Sequence, residues 1–208
     1  MRHLVVMAGL VLAQAAFAPP ATALDCIQLA SGKGTLVGLA TQGAPEADKN
    51  ILQLKITRGE HVVVTLTNLA KAEVSTIELD GIAVLATHIG APPKTLTYFI
   101  AEITGDNRSL EPGTRSSYTQ TTRIDGREFL VERVTQEIGQ RKIIAISGCD
   151  VETLRVHRDF RTDASENRRS IDIDFSPSIG FPLFSSAFHL WNGNTNVMVF
   201  EITSIDLE

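Results

Sequence analysis

Apolar and polar residues alternate with period two along much of this chain, and the longer rhythm of an extended helix is missing. Leu52, Leu54 and Ile56 alternate with Gln53, Lys55 and Thr57, and Ile171, Ile173 and Phe175 alternate with Asp172, Asp174 and Ser176. Each run predicts a half-buried strand. Between Glu60 and Leu69 the chain carries Val62, Val63, Val64, Thr65 and Thr67, whose branched Cβ atoms suit a pleated surface. Turn residues fall between such runs: Asp80-Gly81, Asp125-Gly126 and Asn192-Gly193 tolerate positive φ and predict two-residue hairpins. Gly139-Gln140 is a fourth candidate. Helical segments are confined to short stretches, Pro45–Asn50 and Ala164–Arg169, with Asn68–Val74 readable either way. None is long enough to cover a sheet. The expected fold is therefore all-β, an antiparallel meander of about ten to twelve strands forming a strongly curved half-barrel or a sandwich with one disulfide.

The N-terminus changes the picture of where this fold resides. Arg2 and His3 precede an apolar run, Leu4 to Ala18, broken only by Gln14, and Ala21-Thr22-Ala23 follows as a small-x-small cleavage site. This is the grammar of a secretory signal. The run ends at Pro19-Pro20, short of the ~20 apolar residues a spanning helix needs. The expected division is a signal peptide over 1–23 and a single β-rich domain over 24–208. The Gly90-Ala91-Pro92-Pro93 break sets off a smaller N-terminal layer, 24–90, tied to 95–208. Cys26 and Cys149, the two cysteines, then sit in an oxidising compartment, where a pair reads first as a disulfide. The expected location is periplasmic or secreted.

Charge narrows the partners. With 19 Lys+Arg against 24 Asp+Glu the chain is acidic, which argues against nucleic acid. His61, His88, His157 and His189 stand singly, without metal-ligand spacing, and no Gly-x-Ser-x-Gly is present. No catalytic residue, metal site or cofactor is expected. Asp172 and Asp174 share a strand face and read as solvated, although such a pair can also hold a cation or move a proton. A secreted hydrolase or metal-dependent enzyme using His157, Asp159 or the Asp172/Asp174 pair is thus the alternative, and it requires these groups to meet in a concave site.

Two segments carry the binding expectations. Residues 155–169 hold Arg155, Arg158, Arg161, Arg168 and Arg169 beside Asp159, Asp163 and Glu166. Arg158, Arg161, Arg168 and Arg169 are the candidate anion contacts, against a reading as a solvated loop with local ion pairs. Residues 175–184 combine Phe175, Ile179, Phe181, Leu183 and Phe184 with Pro177, Gly180 and Pro182. They form either the apolar mouth of a ligand cavity or a corner packed under the sheet. Gly148-Cys149-Asp150-Val151 and Phe175-Ser176-Pro177-Ser178-Ile179-Gly180 together resemble uncharacterised periplasmic β-sheet proteins of bacteria, in which a strand cysteine precedes an aromatic-x-Pro corner. That resemblance covers at most residues 95–208 and implies a curved antiparallel sheet in the cell envelope. The leading expectation is an exported, non-catalytic envelope protein that binds a lipid-like apolar ligand or a protein partner on a curved sheet. A structural module pairing through an exposed edge strand is a third reading.

Overall fold

A computed structural model describes residues 26–45, 47–90, 96–104, 109–124, 126–162, 168–191 and 193–208. The proposed signal peptide lies outside them, as do Asp125, Asn192 and the loop 163–167. Among the described residues a short helix, α1 (Cys26–Ala30), precedes twelve strands: β1 (Gly34–Gly43), β2 (Asn50–Arg58), β3 (Val62–Asn68), β4 (Glu73–Asp80), β5 (Ala83–Ile89), β6 (Leu96–Thr104), β7 (Arg115–Ile124), β8 (Arg127–Ile146), β9 (Cys149–Arg161), β10 (Arg168–Ser176), β11 (Phe181–Trp191) and β12 (Asn194–Leu207). Every strand pairs antiparallel with its sequence neighbours, and the ladder closes because β1 also pairs with β12. The all-antiparallel, strongly curved sheet is the one the alternation predicts. Closure carries the curvature a step further, into a continuous ring of hydrogen bonds.

Glycine makes the closing seam possible. Gly38 lies opposite Ile205, and a Cβ there would stand 2.0 Å from the Ser204 carbonyl oxygen. The register slips beside it, between Leu39 and Ala40, a bulge of the kind that bends a strand and lets a sheet curl.

One hairpin departs from the ring. β8 and β9 stay paired to Ile146↔Cys149, but β7 leaves β8 at Glu137 and β10 leaves β9 at Leu154. The far arm of the hairpin therefore folds inward: Ile146, Cys149 and Val151 join Leu36, Leu54, Ile56 and Ile205 in the main core cluster. The Ile205 backbone N–H donates to Ser147 Oγ at 2.9 Å. A disulfide joins Cys149 at the tip to Cys26 on α1, 123 residues away.

The structure corrects the turn expected at Gly139-Gln140. β8 runs through this pair as an irregularity between Ile138 and Arg141, and Gly139 is packed so that a Cβ would sit 3.1 Å from Arg155 Cβ. The turn instead falls at Ser147-Gly148, where both residues have positive φ, 48° and 82°, as a two-residue hairpin loop of the I′ kind demands. Pro45–Asn50 is likewise not helical, and Asn68–Val74 is a turn that leads into β4. Ala164–Arg169 lies mainly outside the described residues, its last two positions opening β10.

Candidate functional site

Along β9 the inward positions read Val156, Arg158, Phe160, and along β10 Arg169, Ile171, Ile173. Two arginines thus keep step with the apolar face. The register sets Val134, Phe160, Arg169 and His189 in one row across β8 to β11, and Gln136, Arg158, Ile171 and Ala187 in the next. On β7 and β8, Gln120 lies opposite Glu132 and Tyr118 opposite Val134. The resulting polar cluster is inside: Glu132 is 4 % exposed, Arg158 7 %, Gln136 1 % and Tyr118 4 %.

Buried polar groups must find partners, and most here do. Glu132 Oε2 accepts from Gln120 Nε2 at 2.9 Å and from Arg169 Nη2 at 2.8 Å. The Arg169 guanidinium lies over the Phe160 ring, 3.9 Å from its centroid, but its Nε is buried with no acceptor. Arg158 donates through Nε to the Gln136 amide oxygen Oε1 at 2.8 Å and through Nη2 to the Ile82 carbonyl at 3.2 Å. Both acceptors are neutral, so the Arg158 charge is solvated by dipoles rather than by a carboxylate. Burial lowers the Arg158 pKa, with Tyr118 opposing and Arg169 adding to the effect. Burial raises Tyr118, with Arg158 and Arg169 opposing and Glu132 adding. Burial and then Arg169 lower His189, against the pull of Glu132. A cavity of about 150 Å³ opens beside the cluster, walled by Leu130, Phe160, Thr162 and Leu190 together with Glu132 and Arg169.

The outward face of the same strands carries a different arrangement. Lys142 Nζ and Arg155 Nη1 hold Asp174 at 2.7 and 3.3 Å, and Arg155 Nη2 reaches Asp172 at 3.4 Å; Asp172 is solvated as expected, whereas Asp174 is buried beneath its two cations, 3 % exposed. His157 Nδ1 lies 3.1 Å from Asp172, and its Nε2 lies 3.3 Å from Asp159. His157, Asp159, Asp172 and Asp174 therefore do share one face. They form a ladder of alternating sign, however, and Asp172 and Asp159 take opposite nitrogens of the His157 ring, so the three do not point at a common centre. Among the described residues no three His, Cys, Asp or Glu side chains are grouped to hold a metal ion. Burial alone would lower the His157 pKa, but the hydrogen bonds and charges of Asp172 and Asp159 outweigh it and raise it. The ladder ends in a wider cleft of about 610 Å³ between the β8 arm and the β10–β12 face, bordered by Lys142, Ile144, Asp174, Phe184 and Glu201. The Asp174 charge on its wall is already matched by two cations.

Phe175, Ile179, Phe181 and Leu183 are core residues, between 0 and 5 % exposed, and Phe184 is half-buried. Phe181 meets Phe200 edge to face at 5.7 Å. Of the two readings, ligand mouth or packed corner, these residues adopt the corner, because Ser176 to Gly180 make a tight turn and the bulge at Asp174/Phe175 swings the chain inward. Arg155, Arg158 and Arg161 lie on β9 and Arg168 and Arg169 open β10, so the arginines belong to strands rather than to a solvated loop. Arg158 and Arg169 point in; Arg161 and Arg168 are exposed. Sequence reasoning overlooked Glu132, Gln120 and Gln136, although each falls in phase with Tyr118, Val134 or Ile138, which is the signal that a polar side chain shares the inner face.

No family model and no curated protein matches the chain. Among solved structures, the hypothetical lipoprotein YmcC of Escherichia coli K12 is similar at 10 % identity and a TM-score of 0.47, over 88 % of this chain and 90 % of that chain.

Proposed function

We propose that this chain is a non-catalytic binding protein of an oxidising extracytoplasmic compartment, and that it takes a lipid-like ligand at the cavity beside Leu130, Phe160 and Leu190. The disulfide supports the compartment, in keeping with the signal-like N-terminus. The observation that carries the binding reading is the contrast between two parts of the interior. Around Leu36, Leu54, Ile56 and Ile205 the barrel is filled by its own side chains and by the β8–β9 tip. Around Arg169 it keeps an apolar-walled cavity against a buried charge cluster. A few placed polar groups in an otherwise apolar concavity are the usual make-up of a small-molecule site.

The ion ladder on the outer face does not favour hydrolysis or metal chemistry, since each of its carboxylates faces a cation or an imidazole. A second reading, capture of a partner's extended segment, has one feature in its favour: residues 139–146 of β8 form no ladder with β7, leaving an edge outside the ring. The direct test of the leading reading is to fill the cavity. Leu130→Trp should leave the circular dichroism spectrum unchanged and abolish uptake of a fluorescent fatty-chain probe. Undiminished uptake in a folded L130W protein would move the site elsewhere.

A further inference from the structure

The charges around the cavity do not balance. Its wall carries two positive charges, Arg168 and Arg169, and one negative, Glu132, hydrogen-bonded to Arg169, and Arg158 lies behind the wall in the next row of the sheet. Arg158 is 7 % exposed and is held only by the Gln136 amide oxygen and the Ile82 carbonyl, so one buried positive charge remains uncompensated among the described residues. Arg169 adds a second indication, a buried Nε with nothing to donate to. Burying a guanidinium without an anion is costly, and a site that carries such a charge beside an open cavity is suited to receive the missing anion. His189, on the cavity wall, is driven towards its neutral form by burial and Arg169 and does not add a further fixed charge.

Resting on the binding function proposed above, we infer that the ligand carries an anionic head group, a carboxylate or a phosphodiester, which enters this cavity against Arg168 and Arg169 and offsets the excess positive charge around it, while its apolar chain runs out past Leu130 and Leu190. The dimensions agree. About 150 Å³ is the share of roughly five water molecules at ~30 Å³ each, room for a head group and a few methylenes but not for a whole lipid.

Calorimetric titration of the full mature protein with decanoate, decanol and decyl methyl phosphate tests this. Decanoate or the phosphodiester should bind about tenfold or more tighter than decanol, as a charge-assisted hydrogen bond in a buried site implies; which of the two binds better separates the head groups. Glu132→Gln, nearly isosteric, removes the competing negative charge and should strengthen decanoate binding several-fold without affecting decanol. A gain of affinity cannot arise from misfolding. Equal binding of decanoate and decanol, or weaker decanoate binding in a folded E132Q protein, overturns the anionic head group and leaves the lipid-like site standing. No binding of any of the three probes removes both.

Discussion

Arg58 ends β2 with its guanidinium inside the fold, 7 % exposed, donating to four backbone carbonyls. Nη1 reaches Leu29 O at 2.8 Å and Ser178 O at 3.1 Å, Nε reaches Gly34 O at 3.3 Å, and Nη2 donates to Lys33 O. One side chain thus ties α1, the start of β1 and the β10–β11 corner together. Burial lowers its pKa, yet a guanidinium stays charged throughout the stable pH range. Charge-assisted hydrogen bonds contribute about 1.5–3 kcal/mol each, but four on one group are not additive, and the cost of burying the charge offsets part of the sum. Arg58→Met should therefore destabilise by ~3–5 kcal/mol, the range seen when one partner of a buried polar set is removed. Arg58→Lys keeps the charge but offers one nitrogen to four diverging carbonyls, and should recover no more than about half of that loss. Urea unfolding at constant m-value measures both, and hydrogen exchange at residues 26–34 should rise before the sheet opens. A lysine variant within about 0.5 kcal/mol of the parent would refute the clamp, because it would mean that charge alone and not the forked geometry holds these segments.

The barrel seam and the outer ladder give further expectations. Gly38→Ala should break the β1–β12 closure, since its Cβ would fall 2.0 Å from the Ser204 oxygen; loss of exchange protection confined first to Leu36–Ala40 and residues 202–207 would show it, and a fully protected seam would contradict the packing. His157 has a folded-state pKa raised above its ordinary value, so its contribution is fully present below the unfolded pKa of about 6.5 and is lost as pH rises through the folded value. His189, shifted down, acts with the opposite sign, so the urea midpoint should be followed against pH in the parent and in His157→Gln. The difference between the two should shrink as pH rises above about 6.5; a difference that does not change with pH would mean that His157 gains nothing from Asp172 and Asp159.

The strand pattern was legible wherever one face is apolar and the other wet. Leu52, Leu54 and Ile56 alternate in the sequence and are buried in the barrel, at 0 to 4 % exposure, and Gly126 and Gly193 have positive φ at the turns expected there, whereas Asp80 still pairs with Ala83 and the loop falls one residue later, at Gly81-Ile82. Closure was not legible, because it joins the first strand to the last and no local pattern records that contact. The hairpin tip was misplaced for a related reason: Gly139 suggests a turn, yet its smallness serves a close approach to Arg155, while the real turn hides at Ser147-Gly148 beside the cysteine. The charged interior was half visible. Arg158 and Arg169 stood out by type, but only cross-strand register reveals that Glu132, 37 residues before Arg169, meets it inside rather than at a solvated face.

The central claim is that the Arg169 cavity is made to be filled. Native mass spectrometry of the mature protein, purified from the compartment it occupies and compared with its denatured mass, addresses it most directly. An excess mass of one anionic amphiphile per chain is expected, absent from the Leu130→Trp variant purified in the same way. A parent protein whose native and denatured masses coincide, and which still takes up no fatty carboxylate when one is supplied, would contradict it.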